Sequence, residues 1–228
     1  MRQIFHALPW IPPKEPDTVI KLFHEYGVPL TFHSRQLLKA KGENNKLYLV
    51  TKGALAYYIA DQYKSHASVL NLLIPNRAAC DLSALTGTRV NVTTRAIGTC
   101  EVLSMSPNII PNYMLEHAEF GLEMAKHVTI KQECSIEAMV ANFTLEPADR
   151  LRTLLKVLLL SYDKPIVDDQ WMKIPLDLTN EQYGSVVNLT RVSVSRLFSD
   201  WSAKELIRKS GRNVFVRSEL FKDIYDWV

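Results

Sequence analysis

The stretch that most constrains the fold is TNEQYGSVVNLTRVSVSRLFSDW, residues 179–201. Thr179, followed three positions later by Gln182, has the spacing of a capping box, which predicts that a helix begins there. After a short break, Thr190 can cap a second helix. Gly184 carries no side chain, so the two helices can approach closely. The stretch therefore predicts a helix-turn-helix.

The second helix of this stretch has two unlike sides. Val194, Leu197 and Trp201 recur at i, i+3 and i+7, with Phe198 beside them, which predicts a side buried against a core. The other side is short-chained and cationic, and it carries Arg191, Ser195, Arg196 and Ser199. In a helix-turn-helix the second helix enters the major groove of DNA, where an arginine can bind guanine by two hydrogen bonds. The alternative for the same pattern is an ordinary helical hairpin in a protein core.

Further cations follow in a segment that has the pattern of a wing. Residues 208–212 predict a turn, residues 213–216 a returning strand, and residues 167–176 the strands that precede the two helices. Lys209 and Arg212, on the predicted turn, are expected to contact phosphates, which position a protein on DNA without specifying its sequence.

Arg196 is predicted to read a base, because it lies between Val194 and Leu197, two residues expected to face the core, so that the helical phase turns it outward. The side chains predicted to contact DNA are Thr179, Arg191, Val192, Ser193, Ser195, Arg196, Lys209 and Arg212.

The C-terminal third resembles the winged helix of the Crp/Fnr family of bacterial transcription regulators. The resemblance rests on YG at residues 183–184, VV at 186–187, Thr190, VSRL at 194–197, and RL at 150–151. It implies transcription regulation by a homodimer that binds double-stranded DNA at a pseudo-palindromic operator, with RNA polymerase as a further candidate partner. One position departs from the pattern, because Val192 stands where the family commonly has Glu. Valine can contact a thymine methyl group but cannot accept a hydrogen bond from N4 of cytosine. The expected operator therefore differs from the best-known operator of the family.

The N-terminal half has the alternating pattern of strands. Short runs between residues 36 and 104 predict a small antiparallel β-roll. Residues 47–53 and 94–103 resemble the cyclic-nucleotide-binding-like sensor of the same family. The predicted fold class is thus α+β: an N-terminal antiparallel, jelly-roll-like β-roll, a long dimerisation helix and a C-terminal winged helix-turn-helix. The predicted domains are a sensor at residues 1–115, a dimerisation helix and hinge at 116–146, and a DNA-binding domain at 147–228.

The effector of the sensor is not specified by its sequence. The family's phosphate-binding segments fall on CDL at residues 80–82 and VNV at 90–92, where the phosphate-binding arginine is missing. Arg89 is adjacent, but a one-residue shift on a strand turns its side chain to the opposite face. No cyclic nucleotide is therefore expected as a cofactor. The candidate pocket residues are Cys80, Asp81 and Asn91. A redox switch at Cys80, a haem held by one of the six histidines, and a sensor that has lost its ligand all stay open.

A helical period runs through residues 116–141. The stripe consists of Leu122, Ala125, Val128, Thr129, Gln132, Ile136, Met139 and Val140. The resemblance to the Crp/Fnr family implies that two subunits pair through this helix, and the apolar stripe agrees with that expectation. Residues 142–146 are the predicted hinge, and Pro147 suits the first position of the next helix, after Glu146 as a cap.

Catalysis is not expected, because the chain has only 8 glycines and no phosphate-cradling loop, zinc-spaced Cys/His set or matched carboxylate pair. Three widely separated cysteines have no metal-ligand spacing. The net charge of +3 does not by itself indicate DNA binding, so the prediction depends on where the cations lie. With no signal peptide or apolar stretch of spanning length, a cytoplasmic, membrane-free protein is expected. The competing function is a protein-interaction or scaffold module whose winged helix does not bind DNA specifically.

Overall fold

The computed structural model of the protein describes residues 4–34, 36–39, 46–59, 68–79, 85–86 and 92–224. The chain forms two compact units, one of Pro12–Glu133 and one of Met1–Ile11 with Cys134–Val228. The division between them falls inside the segment expected to form the dimerisation helix. The functional domains at residues 1–115, 116–146 and 147–228 therefore stay a prediction.

The first unit contains the predicted antiparallel sheet, together with helices that precede and follow it. Its elements are α1 (Asp17–Tyr26), β1 (Val28–Phe32), β2 (Leu37–Lys39), β3 (Leu47–Ile59), β4 (Ser68–Leu73), β5 (Ala78–Ala79), β6 (Val92–Met105) and α2 (Ile109–Glu116). The strand order is β1-β6-β3-β4, while β2 also pairs with β6 and β5 with β3. Alternate side chains of β3 and β6 enter a core that also receives Phe23 of α1.

The strand β3 is longer than the sequence pattern indicates. Residues 47–50 and 54–60 read as separate runs, but Leu47–Ile59 is one strand with register shifts around Lys52. Gly53 makes this possible, because its φ is +77° and a Cβ there would lie 2.3 Å from the carbonyl oxygen of Thr99. The glycine lets the strand kink where the pattern predicts an end.

A long helix, α3 (Ala118–Thr144), follows the sheet. Its buried side is Phe120, Met124, His127, Lys131, Cys134, Glu137, Ala138 and Ala141. The stripe predicted for dimerisation lies on another side and is mostly exposed, including Leu122 at 60%, Ile136 at 42% and Met139 at 52%. The predicted hinge at residues 142–146 is helical as far as Thr144.

A buried carboxylate ties three parts of the first unit together. Glu15, which precedes α1, is 2% exposed and accepts a hydrogen bond from the amide of Ala78 at 2.9 Å. The Nζ atom of Lys131 lies 2.5 Å from one carboxylate oxygen, and Nε2 of His127 lies 2.8 Å from the other, without the angle of a hydrogen bond. Burial alone raises the pKa of Glu15, but Lys131 and His127 outweigh it and hold that pKa at about 2.

A second buried carboxylate lies in the other unit. Glu137 is fully buried, and its Oε1 accepts hydrogen bonds from the backbone amides of Ile4 at 2.7 Å and Phe5 at 2.5 Å. The N-terminal segment is thereby attached to the C-terminal half of α3. The same segment buries Trp10 and Ile11.

The remaining elements form the predicted winged helix-turn-helix. They are α4 (Pro147–Ser161), β7 (Met172–Lys173), α5 (Asn180–Val187), α6 (Arg191–Ala203), β8 (Ile207–Ser210) and β9 (Asn213–Val216). Glu146 and Pro147 take the predicted cap and first positions of α4. The three strands pair in the order β7-β9-β8. The predicted turn at residues 208–212 is too long, because Arg208 and Lys209 belong to β8 and pair with Phe215 and Val214.

Candidate nucleic-acid interface

The first helix of the motif, α5, begins with the predicted capping box. The Oγ1 atom of Thr179 accepts from the amide of Gln182 at 3.2 Å, and the side chain of Gln182 accepts from the amide of Thr179 at 2.8 Å. Thr179, predicted to contact DNA, therefore has its hydroxyl oxygen engaged in the cap and is half-buried.

The turn between the helices is closed over Gly184. Asn188 adopts the left-handed conformation, with φ of 54°, and Leu189 donates to the carbonyl of Gly184 at 2.9 Å. A Cβ at Gly184 would lie 2.3 Å from the carbonyl oxygen of Leu189. Arg150 of α4 donates to the carbonyl of Val187 at 3.0 Å, which places a cation at the negative end of α5. These contacts fix the angle at which α6 leaves the turn.

The second helix, α6, is capped by Thr190, as predicted. Its Oγ1 accepts from the amide of Ser193 at 3.0 Å and lies 2.9 Å from the Ser193 hydroxyl. The buried side consists of Val194, Phe198 and Trp201, with Leu197 only half-buried. Phe198 is buried as predicted, whereas Leu197 is less buried than predicted, because the i, i+4, i+7 spacing of Val194, Phe198 and Trp201 follows the 3.6-residue period.

The exposed side of α6 is small and cationic. Val192, Ser195, Arg196 and Ser199 are all exposed and recur at i, i+3, i+4 and i+7, so they share one face. Arg191 is exposed beside them. Among the residues that the structure describes, neither arginine forms an ion pair or a side-chain hydrogen bond. Short neighbours and unpaired guanidinium groups leave this face free to enter a groove.

The wing places its two predicted phosphate ligands differently. Arg212 is exposed at the turn beside Gly211, whose φ is +61°. Lys209 lies on strand β8, where its Nζ donates to Oδ1 of Asn180 at 2.9 Å and lies 5.0 Å from the ring centre of Phe198. Burial lowers the pKa of Lys209. Lys209 therefore links the wing to the start of α5 and to the middle of α6, while Arg212 is exposed on the wing turn.

The candidate effector pocket, Cys80, Asp81 and Asn91, lies outside the described residues. The two other cysteines, Cys100 and Cys134, are buried. Burial, together with Glu101, raises the pKa of the Cys100 thiol to about 12, which disfavours the reactive thiolate. His127, one of the six histidines considered for haem, is buried against Glu15.

Neither a metal centre nor a membrane span is found in the part of the chain that the structure describes. No cluster of three or more His, Cys, Asp or Glu side chains could hold a metal ion there. No described helix combines the length and apolar character that crossing a bilayer requires.

Two contacts near the motif do not follow from the sequence pattern. Asn180 fixes Lys209, and the indole of Trp171 lies under the guanidinium groups of Arg208 and Arg217, at 4.1 and 4.9 Å from the ring centre. The sequence signal for the second contact is an aromatic residue, Trp171, inside the segment 167–176 that is predicted to supply strands.

Comparisons with known proteins match this geometry. The Crp-like helix-turn-helix domain family matches residues 151–219. The protein ycf28 of Porphyra purpurea, an HTH-type transcriptional regulator by name, is 21% identical over 182 residues, which are 78% of this chain and 73% of that protein.

Two solved structures have the same fold at low sequence identity. FixK2 from Bradyrhizobium japonicum superposes with a TM-score of 0.76 at 14% identity, covering 89% of this chain and 99% of its own. CLP from Xanthomonas campestris, described as a c-di-GMP responsive global regulator, superposes with a TM-score of 0.66 at 15% identity, covering 89% and 99%.

The geometry and the domain match define a protein of the winged helix-turn-helix class. More particularly, residues 151–219 match the Crp-like helix-turn-helix domain, and the chain has the fold of solved structures of Crp/Fnr regulators. The resemblance predicted from the sequence is thereby confirmed.

Proposed function

We propose that this protein is a transcription regulator that binds a pseudo-palindromic DNA operator as a homodimer. The observation that carries the proposal is the exposed face of α6, where Arg191 and Arg196, without a partner among the described residues, stand among small side chains in the N-terminal half of the helix. Such a helix end is what a helix-turn-helix inserts into the major groove. As a DNA-binding regulator, the protein is proposed to act in the cytoplasm. RNA polymerase is the proposed partner of the DNA-bound form.

Arg196 is the proposed base-reading residue. Its planar guanidinium can donate two hydrogen bonds to O6 and N7 of guanine. Val192 and Ser195 flank it, and Val192, 67% exposed, can contact a thymine methyl group. Arg191 and Ser193 lie at the helix start, where Ser193 also supports the cap.

The variant Arg196→Ala is expected to relax sequence preference at one position of each half-site. Removal of one bidentate pair of hydrogen bonds costs about 1–3 kcal/mol of discrimination. The measurement is selection of binding sites from a random duplex pool, followed by titration of the selected duplex and of each single-base variant.

Arg212→Ala is the matched control, because Arg212 is also exposed but lies on the wing turn. It should weaken binding to all sequences and lower the salt slope by about one for each phosphate that Arg212 neutralises, with every base preference unchanged. Equal reductions in affinity for selected and random DNA in Arg196→Ala would remove the base-reading role. A wild-type protein without salt-dependent DNA affinity would favour the protein-interaction alternative.

The dimer is proposed from the exposed stripe on α3. Leu122, Thr129, Ile136 and Phe143 stand seven residues apart, and Met139 follows Ile136 by three, as in a coiled-coil seam. In one chain these positions are open to solvent, with Phe143 83% exposed. A second copy packed along this stripe would cover them. Two recognition helices would then reach successive major grooves, about 34 Å apart.

Replacing both Ile136 and Met139 by Glu is expected to produce a monomer at micromolar concentration. A charge at a buried seam without a partner is costly, and dissociation of the dimer should also lower the affinity for the two-half-site duplex. Light scattering gives the mass, and titration of the same duplex gives the affinity.

Ile130→Glu is the control for this pair, because Ile130 is 40% exposed on α3 but lies off the stripe. It should leave the dimer intact. Dimers that persist in the double variant would place the interface elsewhere on the protein.

A further inference from the structure

The wing sheet, formed by β7, β9 and β8, has one apolar, buried face and an outer face that carries cations. Its buried side chains, Met172, Ile207, Val214 and Val216, point to one side of the sheet. Alternate residues point to the other side, because side chains of a strand alternate. By register, the outer face carries Lys173 opposite Phe215, and Arg208 opposite the same Phe215 from the other edge.

Trp171 gathers two cations on this face. The guanidinium carbon of Arg208 lies 4.1 Å from the centre of the indole ring, and that of Arg217 lies 4.9 Å away. Both distances are those of cation–π contacts, which suit the flat guanidinium group. A stacked arginine gives up little further freedom when its N–H groups meet an acceptor, because the ring already holds its plane.

In the described part of the chain the two arginines have no anionic partner. Within residues 4–34, 36–39, 46–59, 68–79, 85–86 and 92–224, neither guanidinium forms an ion pair or donates a side-chain hydrogen bond. The Nε atom of Arg217 is buried without an acceptor. Two like charges on one ring repel each other, so an approaching anion is strongly favoured at this place.

We propose that the outer face of the wing sheet binds backbone phosphates of duplex DNA beyond the base pairs that α6 contacts. The inference rests on the proposed function. DNA is the favoured occupant because it is a continuous polyanion, and because β8, which carries Arg208, runs directly into the wing turn with Arg212. Arg208 and Arg217 supply the donors, and Trp171 is the positioning residue that holds them.

The test measures the salt dependence of binding to a duplex of about 40 base pairs and to one of about 16 base pairs, both of fixed arbitrary sequence. Phosphate binding does not require an operator, so the result does not depend on base reading. Arg208→Gln is expected to lower the salt slope on the long duplex by about 0.9 for each phosphate that is no longer neutralised, and the affinity in about 50 mM salt by about tenfold. The short duplex should show a smaller change.

Trp171→Leu should reproduce this reduction, whereas Trp171→Phe should restore most of the slope, because a ring remains under the arginines. Arg208 is exposed, so its substitution leaves the fold intact. Thermal melting shows whether Trp171→Leu is folded as well. Unchanged slopes in both Arg208→Gln and Trp171→Leu would overturn the inference. The inference would also be overturned if both variants bound an acidic protein more weakly than the wild type does, while their salt slopes on DNA were unchanged.

The failure of the proposed function has a different signature. If the wild-type protein bound neither duplex in a salt-dependent way, the regulator itself would be contradicted. If the wild type bound both duplexes in a salt-dependent way, but Arg208→Gln and Trp171→Leu left the salt slopes unchanged, only the proposed role of the outer face would be contradicted.

Discussion

Replacing Glu15 by Gln is expected to lower the free energy of unfolding by about 3–5 kcal/mol. The substitution removes the negative charge that Lys131 and His127 both face from α3, at 2.5 and 2.8 Å. Lys131 is 6% exposed, so its ammonium group would stay buried beside a neutral amide. Urea unfolding of the variant and the wild type, followed by circular dichroism, measures the difference.

Asp17→Asn is the matched control, because Asp17 forms an ion pair with Lys14 at 3.1 Å on the surface, with side chains 81% and 53% exposed. Exposed pairs contribute about 0–1 kcal/mol, so the change should be small. Combining Glu15→Gln with Lys131→Met should recover part of the stability, because the buried ammonium group is then removed together with its carboxylate. Equal effects of Glu15→Gln and Asp17→Asn would contradict the assignment.

The same carboxylate predicts an acid limit. The pKa of Glu15 is about 2 in the folded protein against an ordinary value of 4.5. A depressed pKa means that the stabilisation is complete above 4.5 and is lost as the pH falls from 4.5 towards 2. At about 1.4 kcal/mol for each pKa unit, the loss of stability is about 3 kcal/mol. The unfolding free energies of wild type and Glu15→Gln should therefore converge over this range.

Gly184→Ala is expected to destabilise the winged helix-turn-helix by about 1–3 kcal/mol or more and to reduce DNA affinity. The new Cβ would lie 2.3 Å from the carbonyl oxygen of Leu189, which is backbone and cannot rotate away. Relief requires the turn to open, and α6 would then leave the turn at a different angle. Thermal melting and titration of the selected duplex measure the two effects.

Gly121→Ala provides the comparison, because Gly121 lies in α3 and no described residue stands within 4 Å of a Cβ there. In an open helical position alanine should stabilise by about 0.5–1 kcal/mol. The two substitutions are chemically identical and should differ in sign. Stabilisation by Gly184→Ala would mean that the helices are not packed as closely as described.

Local rules made the helix-turn-helix predictable from the sequence. The caps at Thr179 and Thr190 depend on side chains that bond to amides three residues away. The wing was harder to predict from the sequence, because the extent of β8 depends on its register with β9, which no local pattern records. The contacts of Trp171 with Arg208 and Arg217 need the strand order β7-β9-β8, which joins residues far apart in sequence.

The long helix shows a different limit of sequence interpretation. Its periodicity predicted one apolar stripe, and that stripe is exposed in the single chain, as a pairing surface would be. The buried side of α3 includes His127, Lys131 and Glu137, which a hydrophobicity pattern assigns to solvent. They are buried because the N-terminal segment supplies Glu15 and the amides of Ile4 and Phe5, and no pattern within the helix could reveal those partners.

The two sides of the hydrogen bonds between Glu137 and the N-terminal segment differ in how well they tolerate substitution. The donors are the main-chain amides of Ile4 and Phe5, which every amino acid except proline retains. Drift at those two positions can therefore proceed without breaking the attachment, whereas the acceptor depends on the single codon for Glu137. Among descendants of this sequence, positions 4 and 5 should diversify while position 137 stays acidic.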